Sequence, residues 1–324
     1  MSPEFAVEVK QLKKVYLSSK KRGPVTALDE VSLSVPRGSL FALLGPNGAG
    51  KSTLINILAG LVIKTSGSAR IWDVDIDERP RDARAAIGIV PQELNLDAFF
   101  TPREYLEMQA GLYGVPPAET RTDEILEQVG LAQMADSYAR TLSGGMRRRL
   151  LIAKAMVHNP PVLVLDEPTA GVDIELREQL WENIRALNKG GVTILLTTHY
   201  LEEAEELCDQ IAIINHGRLV VCEEKPTLLA RIDSKSLIVT LERPLSEIPQ
   251  LLERFNPELS DSGELTIRYQ KAATSAGEIL DACHAANLAI TDIKTKETDL
   301  GDIFLQLTRG DAPPDLPSLK NTAA

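Results

Sequence analysis

Apolar and polar residues alternate over Phe5–Tyr16 and again over residues 27–35, the period of half-buried strands, and the polar stretch 18–24 between them reads as a loop. The pattern then changes. Leu40–Leu44, residues 162–165 and residues 192–197 are nearly continuous apolar runs, as expected of strands buried on both faces of a parallel sheet. Shorter strand signals stand at 69–72, 87–90, 211–215 and 218–222. Helical signals fall between them, at 53–61, 81–86, 101–112, 118–129, 176–187 and 200–208. The start near Thr101 is explicit, because Thr101-Pro102-Arg103-Glu104 is a capping box with proline at the first helical position. Strands and helices in this order predict an α/β fold around a parallel sheet, with an antiparallel N-terminal subdomain and a helical insert at about 93–140.

Composition shifts after Pro226, which sets a first domain of residues 1–230 apart from a second of 235–309. Strands at 236–241, 264–270 and 288–293 and helical stretches at 245–255, 273–285 and 300–308 predict a small C-terminal α+β domain. It carries no cluster of metal-ligating or nucleophilic side chains and is expected to be a stabilising or regulatory attachment. Residues 310–324, with Pro313, Pro314 and Pro317, are expected to be disordered.

The candidate chemistry gathers at the ends of the apolar runs. Directly after Leu44 comes Gly45-Pro46-Asn47-Gly48-Ala49-Gly50-Lys51-Ser52, followed by a helix from Thr53. Strand, Gly-rich turn and helix start in this spacing make a phosphate-binding loop, in which backbone N–H groups and the helix N-terminus face an anion. Lys51 is then expected to reach the β- and γ-phosphates of a nucleotide, and the Ser52 hydroxyl to ligate Mg²⁺. The run at 162–165 ends in Asp166 and Glu167, and ligands of such sheets lie beyond the carboxyl ends of the strands. Asp166 is expected to face the metal and Glu167 the space beside the γ-phosphate. His199, just beyond the run at 192–197, stands at the same height; His158, His216 and His284 have no evident chemistry around them. Ser143-Gly144-Gly145 opens another helix and is a second candidate anion turn. The following Arg147, Arg148 and Arg149 read either as phosphate ligands or, preferentially, as the solvated, partner-facing side of that helix.

Composition narrows the classes. The chain has 324 residues and a formal net charge of -11, which argues against a general role on nucleic acid. Cys208, Cys222 and Cys283 are too few and too scattered for a disulfide framework and are expected to be reduced. No apolar run approaches the roughly 18 residues that cross a bilayer, and Met1-Ser2-Pro3-Glu4 lacks the order of a signal peptide. The chain is expected to stay in the cytosol unless a partner holds it at a membrane.

Taken in order, the Gly45 to Ser52 loop, Gln92, the Leu142 to Gly145 turn, the strand ending in Asp166-Glu167, Ala170-Gly171-Val172-Asp173 and His199 resemble the ATP-binding subunits of ABC transporters. Leu142-Ser143-Gly144-Gly145-Met146 followed by arginines, with Thr197-Thr198-His199-Tyr200 and a C-terminal domain, is similar to the multidrug or polysaccharide export branch of bacteria. The resemblance spans about residues 5–225 and implies a P-loop NTPase core of ABC ATPase type that hydrolyses ATP with Mg²⁺. It further implies a dimer of two copies closed head to tail on ATP, and a separate integral-membrane permease that holds this chain at the cytoplasmic face of the membrane, contacted by the insert between Gln92 and Tyr138. On this resemblance Tyr16 would stack on adenine and Gln92 would sense Mg²⁺ and the attacking water. Glu167 would polarise that water and His199 would hold the γ-phosphate. Ser143, Gly144 and Gly145 would contact ATP held by the other copy, and Asp173 would carry signals across the dimer. Met146 departs from the glutamine more often found there, and the loop between Tyr16 and Ala27 is longer than usual. A soluble ABC-type ATPase of translation or DNA repair, or a regulatory module that binds ATP without turnover, are the alternatives. The first usually carries two ATPase units, long arms or zinc-binding cysteines, and the second has no use for Glu167 and His199 together.

Overall fold

The computed structural model describes residues 3–17, 23–230, 234–243, 245, 248–260, 264–270, 274–297 and 300–309. The chain divides into two compact units, Met1–Lys225 and Pro226–Ala324. In chain order the first unit contains β1 (Phe5–Tyr16), β2 (Val25–Pro36), β3 (Leu40–Leu44), α1 (Lys51–Leu58), β4 (Ser66–Ile71), β5 (Val74–Asp75), α2 (Pro80–Ala85) and β6 (Ile87–Val90). It continues with α3 (Pro102–Leu112), α4 (Thr122–Gln128), α5 (Gly144–Met156), β7 (Val162–Asp166), α6 (Ile174–Lys189), β8 (Thr193–Thr198), α7 (Leu201–Leu207), β9 (Gln210–Asn215) and β10 (Arg218–Glu224). Helix α8 (Lys225–Ala230) stands at the boundary.

The alternating segments pair as an antiparallel sheet, β2-β1-β4-β5, and the continuous apolar runs form the middle of a six-stranded sheet, β10-β9-β3-β8-β7-β6. Its pairs from β6 to β9 are parallel, and only β10 runs against its neighbour. Every residue of β3 and β8 is buried, which is why neither shows alternation. The parallel register sets Leu44 beside Thr198 and Asp166 beside Thr197, so the segments after β3, β7 and β8 emerge from one edge of the sheet. Phe41, Leu43, Val164 and Leu195 share a core with Leu54 and Leu58 of α1, which fixes the helix behind the loop it follows.

Helix α3 begins as its capping box requires, with the Thr101 hydroxyl accepting from Glu104 N and Glu104 Oε2 accepting from Thr101 N. Residues 118–129 do not form one helix. A 3₁₀ turn at Pro117–Glu119 is closed by the Thr120 hydroxyl on Pro117 O, Thr120 itself is extended, and α4 starts only at Thr122.

The second unit contains β11 (Ser234–Leu241), α9 (Gln250–Glu253), β12 (Glu258–Leu259), β13 (Glu264–Gln270), α10 (Ala276–Ala285), β14 (Ile290–Glu297) and α11 (Leu300–Arg309). Its strands are all antiparallel in the order β12-β13-β11-β14, the split β-α-β plan, over a core that includes Leu237, Val239, Leu265, Ile267, Ile279 and Cys283. The helical stretch read at 245–255 contracts to α9 because Pro249, which lacks an N–H and fixes its own φ, can only precede a helix. Helix α10 begins after Ser275, where Ser275 and Glu278 form a second capping box. The segments 18–22 and 310–324 lie outside the described residues. The cysteines are free thiols; Cys208 and Cys283 are buried, and burial pushes the half-buried Cys222 up to about 11.

Candidate functional site

The loop after β3 cannot carry side chains where it turns. A Cβ on Gly45 would lie 2.4 Å from Ile214 O, and one on Gly50, whose φ is +112°, would lie 2.6 Å from Ala27 O. Gly50 therefore delivers the chain into α1 at Lys51 with the first backbone donors of the helix uncapped by any side chain. Lys51 is only 6% exposed, and its Nζ donates to Gly45 O at 2.6 Å and Pro46 O at 3.3 Å. Burial pushes this ammonium below its ordinary value, while the charges of Glu167 and Asp166 push it back up. Among the described residues no salt bridge neutralises it. A buried cation held by carbonyls, beside uncapped backbone donors, suits the phosphates of a nucleotide.

Glu167 faces this loop from the end of β7. Its backbone is left-handed, with φ +47°, a conformation that a side chain adopts at a cost of roughly 1–3 kcal/mol unless its surroundings enforce it. Here they do, since Glu167 N donates to Thr197 O at 3.0 Å and lies 3.2 Å from Thr197 Oγ1. The carboxylate, 9% exposed at residue level, joins two other segments: Oε2 accepts from Gln92 Nε2 at 2.9 Å and Oε1 lies 3.2 Å from His199 Nδ1. A cavity of about 450 Å³ is lined by Ala27, Pro46, Asn47, Gly48, Ala49, Gly50, Lys51, Ser52, Thr53, Gln92, Glu167 and His199. Asp166 is set just behind, accepting from the Thr197 hydroxyl.

Other residues singled out in the sequence lie elsewhere. Tyr16 is 40% exposed at the end of β1, with Lys14 Nζ 4.8 Å from its ring centre, and does not line the cavity. Ser143 caps α5, its hydroxyl accepting from Met146 N, and Gly144 and Gly145 form the first turn of that helix, again outside this cavity. Asp173 caps α6 through Leu176 N at 2.9 Å.

The reading of the three arginines as a solvated face is overturned. Arg148 is 4% exposed, and its Nη1 donates to Gln92 O at 2.7 Å and Pro91 O at 3.1 Å. Arg149 reaches Val129 O and Arg147 reaches Arg140 O, so the three staple α5 to separate stretches of backbone. The signal was present in their adjacency, because consecutive helical residues are rotated by about 100° and three in a row cannot share one face. The holding roles of Thr197 and Arg148 toward Glu167 and Gln92 escaped sequence reading because each is made with a distant segment of the chain. His158 is also tied down, stacked on Tyr113 at 3.7 Å with Nε2 3.1 Å from Ile87 O.

A parallel sheet with a glycine loop and buried lysine at its carboxyl edge, facing a carboxylate held by an amide and an imidazole, defines a phosphate-loop ATPase. The model of the ABC transporter family matches residues 28–170. Nod factor export ATP-binding protein I of Ralstonia nicotianae is 36% identical over 293 residues, 89% of this chain and 91% of that one. A daunorubicin resistance ATP-binding protein of Streptomyces coeruleorubidus is 36% identical over 313 residues, 94% and 95% of the two chains. Both alignments are longer than the first unit and so extend into the second. Among solved structures, the ATP-binding subunit of an ABC transporter superposes with a TM-score of 0.61 at 30% identity, over 70% of this chain and 92% of that one. A dimeric bacterial ABC transporter cassette matches with a TM-score of 0.59 at 28% identity, over 67% and 98%. The chain belongs to the ATP-binding subunits of bacterial ABC transporters, on the export branch. It binds and hydrolyses ATP, and that hydrolysis is coupled to membrane transport.

Proposed function

We propose that hydrolysis runs at the Glu167 carboxylate of a site shared between two copies of this chain. The observation that supports this reading is the joining of Glu167 to both Gln92 and His199 opposite the Lys51 loop. Glu167 accepts the hydrogen bond that orients a water, Gln92 fixes one carboxylate oxygen, and His199, 43% exposed in its side chain, bridges the other oxygen toward the γ-phosphate position. Lys51 and the N–H groups of Gly48 to Thr53 stabilise the charge on the phosphates. Among the described residues no three His, Cys, Asp or Glu side chains gather as a metal cluster. Ser52 and Gln92 would hold Mg²⁺, with Asp166 behind them, and the metal would neutralise charge on the phosphates.

Ser143, Gly144 and Gly145 lie outside the cavity of their own chain, which suits a role on nucleotide held by the other copy. Ser143→Arg is expected to block closure while leaving ATP binding intact. Lys51→Ala and Ser143→Arg chains should each be inactive alone and recover part of the ATPase rate when mixed, since their heterodimer contains one intact composite site. Wild-type-like turnover by homogeneous Ser143→Arg overturns the shared site.

Tyr16, 40% exposed and with Lys14 Nζ 4.8 Å from its ring centre, is proposed as the adenine platform. Stacking on a base contributes about 1–3 kcal/mol, so Tyr16→Ala should weaken ATP by about tenfold and leave inorganic pyrophosphate unchanged. Equal weakening of both ligands, measured by titration calorimetry, would assign Tyr16 to the fold instead.

The membrane partner is an integral-membrane permease, which places this chain at the cytoplasmic face as a peripheral subunit. No helix among the described residues is long and apolar enough to cross a membrane. A groove of about 510 Å³ on the helical insert side, lined by Ile89, Pro91, Asn95, Gln109, Tyr113 and Leu151 among others, supports docking there. Its lining includes Pro91, the residue before Gln92, so that a permease segment seated in it would press on the backbone that carries the catalytic amide.

A further inference from the structure

Glu203 is fully buried in the first turn of α7, four residues after His199. Its Oε1 accepts from Thr169 Oγ1 at 3.1 Å and from Trp181 Nε1 at 3.3 Å, while Oε2 has no partner among the described residues. Burial pushes this carboxyl above its ordinary value; Thr198, Thr169 and Trp181, in that order, and the charge of Arg177 pull it back. Glu203 on the His199 side and its partner Thr169 on the Glu167 side stand on the two sides of the site. Thr169, 2% exposed, lies two residues after Glu167, on the segment that leads to Asp173. Thr198, fully buried, immediately precedes His199, and its hydroxyl accepts from Tyr200 N at 2.9 Å. Glu203 N in turn donates to Tyr200 O, which closes the turn carrying the imidazole.

The parallel ladder between β7 and β8 ends at Asp166 beside Thr197. Beyond that point the sheet no longer holds the Thr169 segment to the His199 turn. Glu203 does, by a hydrogen bond across 34 positions of sequence. Packing alone does not call for a carboxyl here. A methionine would fill similar volume without the cost of desolvating a polar group, and replacing buried polar groups by apolar ones of equal size is often neutral or stabilising. What the carboxyl adds is direction.

We propose that Glu203 is a positioning residue for ATP hydrolysis, a buried carboxyl that locks the segment after Glu167 to the turn of His199 and so holds those two side chains in register. The proposal rests on the roles assigned above to Glu167 and His199. It acts on the transition state rather than on nucleotide binding, because the phosphate loop follows a different strand and makes no hydrogen bond to Glu203, Thr169 or Trp181.

The test compares Glu203→Met, which keeps volume, with Glu203→Gln, which keeps the acceptor, in the full-length chain. Steady-state ATPase, ADP affinity and thermal unfolding are measured for each. Glu203→Met is expected to lower kcat by about tenfold or more, the scale of a small misplacement of reacting groups, with KM for ATP and ADP affinity within about twofold. Glu203→Gln should stay within about threefold of wild type, because its amide oxygen can accept the same two bonds. Thr169→Val, which removes one hydroxyl without opening a cavity, should lower kcat alone in the same way and carries the test if Glu203→Met does not fold. The double substitution should cost less than the product of the two single losses, since both break one connection. Turnover by a folded Glu203→Met within about twofold of wild type overturns the proposal. So does a parallel fall in ADP affinity, a Glu203→Gln as impaired as Glu203→Met, or full additivity with Thr169→Val. Glu167→Gln in the same assay separates the two failures. Near-wild-type turnover there overturns the site reading itself, whereas an inactive Glu167→Gln beside an active Glu203→Met overturns only the role of Glu203.

Discussion

Lys51→Ala is expected to bind ATP about a hundredfold more weakly than wild type, because hydrogen bonds to a charged group contribute about 1.5–3 kcal/mol and each 1.4 kcal/mol is about tenfold. The size of the effect follows from how little else in the site is cationic. The residues that line the cavity include no second lysine or arginine, so the remaining attraction for phosphate is that of backbone dipoles and uncapped helix donors. Lys51 also ties Gly45 and Pro46 carbonyls to the helix, and its loss frees the loop as well as the charge. Nucleotide titration of a variant shown to be folded by its melting curve reads the effect. Binding within about threefold of wild type would show that Lys51 serves the loop's shape and not the phosphates.

Glu167→Gln should lower the ATPase rate by roughly 10²- to 10⁴-fold, the range supplied by a positioned base, while ATP still binds. The substitution retains size but changes more than charge. Glu167 Oε2 accepts from Gln92 Nε2 in the native site, and an amide nitrogen in that place meets another donor, so Gln92 must turn or lose its bond. Because ATP still binds while its cleavage is slowed, closed dimers should accumulate with ATP and Mg²⁺, observable by sizing in solution. A Glu167→Gln chain that turns over within about tenfold of wild type would remove Glu167 from the chemistry.

Local structure was legible in this chain wherever a short stretch settles its own hydrogen bonds. The capping box at Thr101 and Glu104 is one such stretch, and the glycines of the Gly45 to Ser52 loop are another, since both act within a few residues. The continuous apolar runs revealed their burial on two faces for the same reason, that period 2 vanishes when neither face meets water. Where a local signal misled, a specific residue overrode it. Pro249 cut short a helix read from apolar spacing, and the Thr120 turn separated one predicted helix from the proline pair before it.

The sequence by itself determined the nucleotide loop, which strand segments are buried on one face and which on two, and the candidates Glu167 and His199, while Gln92 came from its family resemblance. Only the tertiary structure decided that these three meet. Gln92 and Glu167 are separated by 75 positions, and their bond depends on β6 lying beside β7. His199 reaches Glu167 because β7 and β8 pair in one parallel register, a shift of which would carry the imidazole past the carboxylate. Arg148 turned inward on Gln92 O, and Glu203 turned inward on Thr169, for reasons no window of sequence contains. A buried polar side chain takes its orientation from the carbonyls and hydroxyls that other segments bring to it, and those partners exist only after the sheet has assembled.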